Sequence, residues 1–313
     1  MKVLIIGLGE IGVRHLQSLA TASGSQLCVV DPAFCSEERK KEVFRHLGEY
    51  TDLEVYEDLG NFTHKVSRVD VAVIATTSAV RPELFTTCVG MELAESYLLE
   101  KLLAPNQAGL ANYRLGAQKL RGTAVINCPQ RTFPAYQSLL SDSELVEAVE
   151  FTGDQNAGLA CNIIHYIDLV EFFTGCSVIS GVSEGLHTMI ASKRSGYIDF
   201  LGSVEFRFNG GATLRFTSDP LNDHVALLRI KTDKHTFEIN EVSGEIRKNG
   251  VLISLDRFPY QSEMTAGICA SLMSGKCSLT TLDDSIRQHE VMYDALEAAY
   301  FRLSNGSSNM AIS

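Results

Sequence analysis

The chain is 313 residues long, 45% apolar and 21% charged, a composition that excludes disordered and fibrous proteins and leaves room for two globular domains. Its 27 Lys and Arg against 38 Asp and Glu give a net charge of -11 without a basic block, which argues against a nucleic-acid surface. No apolar run approaches a membrane span, a strand-like run begins at Lys2, and eight Cys show no CxxC or regular spacing, so the expectation is a cytoplasmic protein with reduced thiols, no metal site and no membrane partner.

In chain order, Lys2 to Ile6, Leu27 to Val30, Val69 to Ala75, Tyr97 to Leu99 and Ala124 to Asn127 read as strands. Their nearly unbroken apolar character suits strands buried on both faces of a parallel sheet. Helical spacing fills the intervals at Glu10 to Thr21, Ser36 to Leu47, Arg81 to Met91 and Gln107 to Arg121. This alternation predicts an α/β chain that opens with a doubly wound, Rossmann-type parallel sheet, with ligands at the carboxyl ends of its strands.

After a predicted helix at Asn162 to Thr174 the pattern changes to period two. Val204, Phe206 and Phe208 share one face, Glu205 and Arg207 the other; Asn209-Gly210-Gly211 reads as a hairpin turn, and Ala212, Leu214 and Phe216 continue the apolar face against Thr213, Arg215 and Thr217. Further strands are predicted near Val225 to Lys231, His235 to Asn240 and Val251 to Leu255, helices at Ser262 to Ser274 and Asp283 to Leu303, and a frayed tail from Ser304. The change of pattern alone divides the chain into 1–125, a domain on the parallel sheet, and 126–313, an α+β domain on a large, mostly antiparallel sheet.

Gly7-Leu8-Gly9-Glu10-Ile11-Gly12 is a GxGxxG directly after the first strand and at the head of the first helix. The first Gly permits the tight turn, the second lets backbone approach a pyrophosphate, and the third allows close helix–strand packing, while the helix start at Glu10 and Ile11 faces the anion. Asp31 ends the second strand, 19 residues after Gly12, where a carboxylate accepts hydrogen bonds from ribose hydroxyls and repels a 2'-phosphate. NAD is expected ahead of NADP. The plainer alternative is a Gly-rich turn with Asp31 as a turn residue before Pro32.

With these motifs in place the sequence resembles the glucose-fructose oxidoreductase and inositol dehydrogenase (Gfo/Idh/MocA) family of nicotinamide-dependent sugar and polyol oxidoreductases. The glycine motif continues to His15 as GLGEIGVRH, and Ala75-Thr76-Thr77 is similar to the turn after the family's fourth strand. Glu100-Lys101 stands where the family carries Glu-Lys-Pro, Asn127 to Tyr136 (NCPQRTFPAY) resembles the segment linking the two domains, and Ala160 to Gly175 (ACNIIHYIDLVEFFTG) resembles the helix with a catalytic His. Leu102 replaces the usual Pro, Cys161 stands where many members have an Asp four residues before the His, and the chain is shorter than many relatives.

The resemblance implies a cofactor site at Gly7, Gly9, Glu10, Ile11, Gly12, Asp31, Ala75, Thr76, Thr77, Glu100, Lys101 and Gln130, and a substrate site at Lys101, Arg131, Cys161 and His165. Carbonyl reduction needs a hydride, a proton for the developing alkoxide and a donor or positive charge beside that oxygen. Lys101, just past a strand end, is suited to hold the oxygen, with Glu100 positioning its ammonium. His165 is suited to exchange the proton, with Asp168, on the same predicted helix face, orienting the imidazole. Arg131 reads equally as a group for nicotinamide or substrate and as an interdomain salt-bridge residue. The expected substrate is a sugar, polyol or nucleotide-linked sugar, and a homodimer or homotetramer is implied by the family. Two alternatives stay open: a reductase of a non-sugar carbonyl, and a dinucleotide-binding sensor without turnover.

Overall fold

The computed structural model describes residues 1–47, 53–141, 143–221 and 226–313. The chain divides into two compact units, the first made of residues 1–103, 111–127 and 259–282 and the second of 104–110, 128–258 and 283–313.

The first unit runs β1 (Lys2–Ile6), α1 (Glu10–Ala20), β2 (Gln26–Val30), α2 (Glu37–Leu47), β3 (Leu53–Tyr56), α3 (Leu59–Thr63), β4 (Val69–Ile74), α4 (Arg81–Gly90), β5 (Ala94–Leu99), α5 (Leu110–Lys119, which begins at the unit boundary) and β6 (Thr123–Ile126). The parallel sheet has the order β3-β2-β1-β4-β5-β6. Strand order therefore reverses between β1 and β4, the position where this architecture binds ligands beyond the strand ends. Apolar runs such as Val3 to Ile6 and Val71 to Ile74 are fully or almost fully buried, as two-sided coverage requires. β3 escaped the sequence reading because Leu53, Glu54, Val55 and Tyr56 form a short run interrupted by a charge. The helix predicted over Gln107 to Arg121 is shorter: the Asn106 side chain accepts from Gly109 N at 3.3 Å, shaping residues 107–109 into a tight turn ahead of α5.

The second unit continues with α6 (Pro134–Gln137), β7 (Val146–Gly153), α7 (Leu159–Thr174), β8 (Val178–Val182), β9 (Leu186–Ala191), β10 (Ile198–Phe208), β11 (Thr213–Ser218), β12 (Leu227–Thr232), β13 (Thr236–Asn240), β14 (Glu245–Lys248) and β15 (Val251–Leu255). Val225, at the start of one predicted strand, lies outside the described residues. The nine-stranded sheet has the order β15-β14-β13-β12-β7-β11-β10-β8, with β9 on β10, and is antiparallel except where β11 meets β7. Val204, Phe206, Phe208, Leu214 and Phe216 are buried, and α7 packs over this face. The rings of Phe151 and Phe216 stack at 4.4 Å, with Tyr166 from α7 4.8 Å from Phe151. On the opposite face Arg207 and Arg215 are exposed, and Arg215 pairs with Glu205 at 2.8 Å. The α/β class predicted from the sequence, a parallel sheet followed by a mostly antiparallel one, is the class observed.

Two helices close the chain, α8 (Gln261–Met273) and α9 (Leu282–Leu303). A single cut at residue 125 assigns both to the second half, whereas α8 belongs to the first unit. Its Ile268, Cys269 and Leu272 share one core with Leu16 and Leu19 of α1 and with Val3, Ile5 and Val125 of the sheet. The tail beyond α9 is anchored, not frayed: Met310 and Ile312 are buried, Ile198 N donates to Ala311 O at 3.0 Å, and Asn106 Nδ2 donates to Met310 O at 3.0 Å. Two apolar side chains hidden among small polar ones carried too little periodicity to show this. Among the described residues no helix is long and apolar enough to cross a membrane, and no three His, Cys, Asp or Glu cluster as metal ligands.

Candidate functional site

The glycine turn after β1 divides three tasks among three residues. Gly7 has φ +93, a left-handed conformation that a Cβ would strain, and a Cβ there would lie 2.9 Å from Thr76 Cγ2 in the turn after β4. A Cβ on Gly12 would fall 1.9 Å from the Gly7 carbonyl oxygen, so α1 approaches the turn as closely as backbone allows. Gly9, the N-cap of α1, would meet nothing within 4 Å and supplies no side chain to the first N–H groups of the helix. An open approach to uncapped helix N–H groups, at the point where strand order reverses, suits an anion such as a pyrophosphate.

Asp31 follows β2. Its Oδ2 accepts from Leu8 N at 2.5 Å and its Oδ1 from Ala33 N at 2.7 Å, tying the end of β2 to the glycine turn. An ionised carboxylate offers about four lone-pair sites, so two backbone donors leave capacity for hydroxyls. Ala75, Thr76 and Thr77 follow β4 and are partly buried. Thr76 Oγ1 is buried and has no hydrogen-bond partner among the described residues, an orphaned polar atom beside the glycine turn.

Beyond β5, Glu100 is buried and its Oε1 binds His15 Nε2 at 2.9 Å and Asn127 Nδ2; His15 Nδ1 in turn lies 2.8 Å from Thr265 Oγ1. Burial pushes the Glu100 carboxyl up, but the His15 ring, the Asn127 amide and the Arg81 guanidinium outweigh it and hold the group below the usual carboxylate range. The sequence reading gave Glu100 the task of positioning Lys101; the structure gives its carboxylate to His15 and Asn127. Lys101 itself is partly buried, and the Lys101–Leu102 peptide bond is cis. Arg81, which the sequence showed only as the start of a predicted helix, is buried and donates to the carbonyl oxygens of Thr76, Glu100 and Leu102, bracing the turns after β4 and β5. Asn127 Oδ1 is a second buried oxygen without a partner among the described residues.

In the second unit α7 carries Cys161, His165 and Asp168. Cys161 and His165 are partly buried, and Cys161 Sγ lies 3.4 Å from Asn162 Oδ1. Asp168, read from the sequence as the residue that orients His165, is fully buried and takes both prongs of Arg131, Nε to Oδ2 at 2.8 Å and Nη2 to Oδ1 at 2.7 Å. Gln288 Nε2 adds a bond to Oδ1 at 3.3 Å, and the Arg131 guanidinium sits 5.7 Å from the Phe172 ring centroid. Arg131 thus makes a bidentate ion pair inside the second unit, a different place from the interdomain bridge considered from sequence. One helical turn on, Glu171 receives Arg287 at 2.9 and 3.0 Å.

Beside this pair lies a cluster that the sequence did not reveal. Gln130 Nε2 donates to Glu241 Oε1 at 3.1 Å, Tyr136 donates to the same oxygen, and Tyr166 donates to Oε2 at 3.4 Å. Burial pushes the Glu241 carboxyl up, and the hydrogen bonds from Tyr136, Gln130 and Tyr166 offset this only in part. Glu241 is 111 residues from Gln130, in the turn after β13, and no local spacing could have linked them.

No protein-family model and no curated protein matches the sequence. Solved structures do match in fold. A UDP-N-acetylglucosamine 3-dehydrogenase from Acidithiobacillus ferrooxidans is 15% identical, with 94% of this chain and 96% of that one covered at a TM-score of 0.72. An oxidoreductase from Agrobacterium radiobacter, solved with NAD+, L-tartaric acid and magnesium, is 15% identical over 96% of each chain at 0.74. A scyllo-inositol dehydrogenase from Lactobacillus casei, solved with NAD(H) and scyllo-inositol, is 14% identical over 95% of this chain and 96% of that one at 0.68. Over nearly its whole length, the chain therefore has the fold of these dehydrogenases and oxidoreductases.

Proposed function

We propose that the protein is an NAD-dependent oxidoreductase acting on a secondary alcohol or ketone of a sugar, polyol or nucleotide-linked sugar. The observation that carries this reading is the glycine turn at the point of reversed strand order, with Gly9 open and the start of α1 uncapped. Its context is a fold shared with a scyllo-inositol dehydrogenase whose structure holds NAD(H) and scyllo-inositol. The backbone from Gly9 to Gly12 would hold the pyrophosphate, and the spare acceptor sites of Asp31 the ribose hydroxyls, a preference for NAD over NADP. When bound, the nicotinamide supplies or accepts the hydride.

The chain's own groups do the rest of the chemistry. The Lys101 ammonium holds and polarises the reacting oxygen, lowering the cost of negative charge on it. The His165 imidazole delivers a proton to that oxygen in reduction and removes it in oxidation, the general acid–base role to which an imidazole is suited. Asp168, paired with Arg131, fixes the helix that carries His165. Cys161 lines the substrate side. The protein is proposed to work as a homodimer or homotetramer, for which light scattering is the check.

The test has two arms. Fluorescence titration should give tighter binding of NADH than of NADPH, and Asp31→Ser should erode the difference. Turnover is then screened with myo-inositol, scyllo-inositol, UDP-N-acetylglucosamine and L-tartrate, the last representing non-sugar substrates. Failure to bind either cofactor rejects the oxidoreductase reading; NADH binding with no turnover of any compound supports a sensor instead.

A further inference from the structure

Gln130 is buried, and its two amide atoms have unequal surroundings. Nε2 is fixed on the Glu241 carboxylate at 3.1 Å, while Oε1 is buried with no hydrogen-bond partner among the described residues. A buried amide oxygen without a donor carries a desolvation penalty that a ligand donor would relieve. The direction of the amide is not arbitrary. An ionised carboxylate only accepts, so it selects the N–H end of Gln130 and turns the oxygen away from itself. Tyr136 and Tyr166 occupy other acceptor sites of the same carboxylate and hold it in place.

We infer that Glu241 is a positioning residue that fixes the Gln130 amide so that Oε1 is presented as the acceptor for a hydroxyl of the substrate. This deepens the oxidoreductase reading and rests on it: the substrate carries a hydroxyl that donates to Gln130, and Glu241 acts on substrate only through that amide. Protonation of Glu241 gives it an O–H donor, which releases the amide to flip and present its NH2 group. Among the described residues the titratable groups facing Glu241 are Tyr136 from α6 and Tyr166 from α7, whose hydroxyls are pushed well above their usual range by burial and by the Glu241 charge. Both stay neutral near pH 7, and Glu241 is the carboxyl of this cluster, held above its ordinary range by burial.

The experiment uses the full-length protein and the best substrate of the panel above, with NADH affinity measured separately by fluorescence. Gln130→Met removes the acceptor and should raise KM about three- to tenfold, the loss of one hydrogen bond, by a larger factor than it lowers kcat. Glu241→Gln should raise KM by a similar factor. The double variant should match Gln130→Met, because a residue acting through the amide adds nothing once the amide is gone. In the wild type KM should climb as pH falls through the raised folded value of Glu241, and in Glu241→Gln this climb should disappear, a change that a purely structural role would not produce. Thermal melting accompanies each variant, and if Glu241→Gln does not fold, the wild-type KM profile compared with that of Gln130→Met decides: the climb must vanish there too. Multiplying KM effects in the double variant, unchanged KM in Glu241→Gln, or a KM profile independent of position 130 would overturn the inference while NADH binding and turnover leave the oxidoreductase reading standing. NADH binding without turnover of any hydroxylated compound also overturns it, and failure to bind NADH removes the reading on which it depends.

Discussion

Glu100, beyond the parallel sheet of the first unit, and Glu241, in the turn after β13 of the second, are two carboxyls withdrawn from water that respond in opposite ways. Glu100 sits with the His15 ring and within the field of the Arg81 guanidinium, and its pKa is lowered. Glu241 takes hydrogen bonds from two tyrosines and a glutamine, all neutral, and its pKa is raised. The comparison separates two kinds of compensation. Neutral donors satisfy the lone pairs of a buried carboxylate without replacing the hydration of its charge, whereas a nearby cation does both. The first unit therefore holds its acid below the usual carboxylate range, while the second holds its acid above it.

The Arg131–Asp168 pair is the second unit's exception, a buried anion matched by a cation, and it gives the largest expected effect. Asp168→Leu, which leaves the guanidinium unpaired, should cost about 3–5 kcal/mol in urea unfolding, and adding Arg131→Met should return most of that loss. If the double variant were no more stable than Asp168→Leu, the pair would not be the partnership that matters. Next come the proposed reacting groups, one in each unit. Lys101→Met and His165→Ala should each lower kcat by on the order of 10² or more with little change in NADH affinity, measured as single-turnover rates across pH 5 to 9. Near-normal rates in either variant would remove that residue from the chemistry.

Smaller effects test the glycine turn. Gly12→Ala should destabilise the fold by about 1–3 kcal/mol, because the new methyl group meets the Gly7 carbonyl. Gly9→Ala should leave stability within about 0.5 kcal/mol and weaken NADH on the order of tenfold, since its surroundings are empty until a ligand arrives. Equal loss of stability in both would erase the distinction between packing and access. The smallest effects are in pH dependence. Glu100, lowered in the fold, contributes stability that is complete above the ordinary carboxyl range and is lost as pH falls through its folded value. Glu241, raised in the fold, contributes stability that is complete below that range and is lost as pH rises through its folded value. Denaturation midpoints from pH 3 to 8 should show Glu100→Gln flattening the acid limb and Glu241→Gln the limb toward neutrality; slopes of the same sign would contradict the comparison.

The sequence made the first unit's functional edge legible because its chemistry is local: GLGEIG, Asp31 and the residues after β4 and β5 lie directly beyond apolar strands, and position alone places them at one sheet edge. Legibility ended where partners are distant in sequence. Asp168 stands three residues after His165, so spacing paired those two, but the bidentate partner of its carboxylate is Arg131, 37 residues away. Glu100 adjoins Lys101 in sequence, yet it binds His15 across 85 residues. β7 and β14 went unseen because Glu147, Glu150, Glu245 and Arg247 line their open sides and dilute the apolar signal.

The return of residues 259–282 to the first unit gives the protein an order of assembly. Ser18 Oγ accepts from Ala266 N at 3.0 Å, and Leu16 and Leu19 share their core with Ile268 and Leu272. A ribosome that has just released β6 has made every strand of the parallel sheet but not the helix that covers α1. At about 5–20 residues per second, the wait for that helix lasts on the order of 10–30 s. During that interval the face of α1 behind the glycine turn stays exposed, and its burial comes only after the whole antiparallel sheet has been synthesised. A truncation at residue 127 should therefore behave as a sticky fragment, and supplying residues 259–282 as a peptide should restore its solubility.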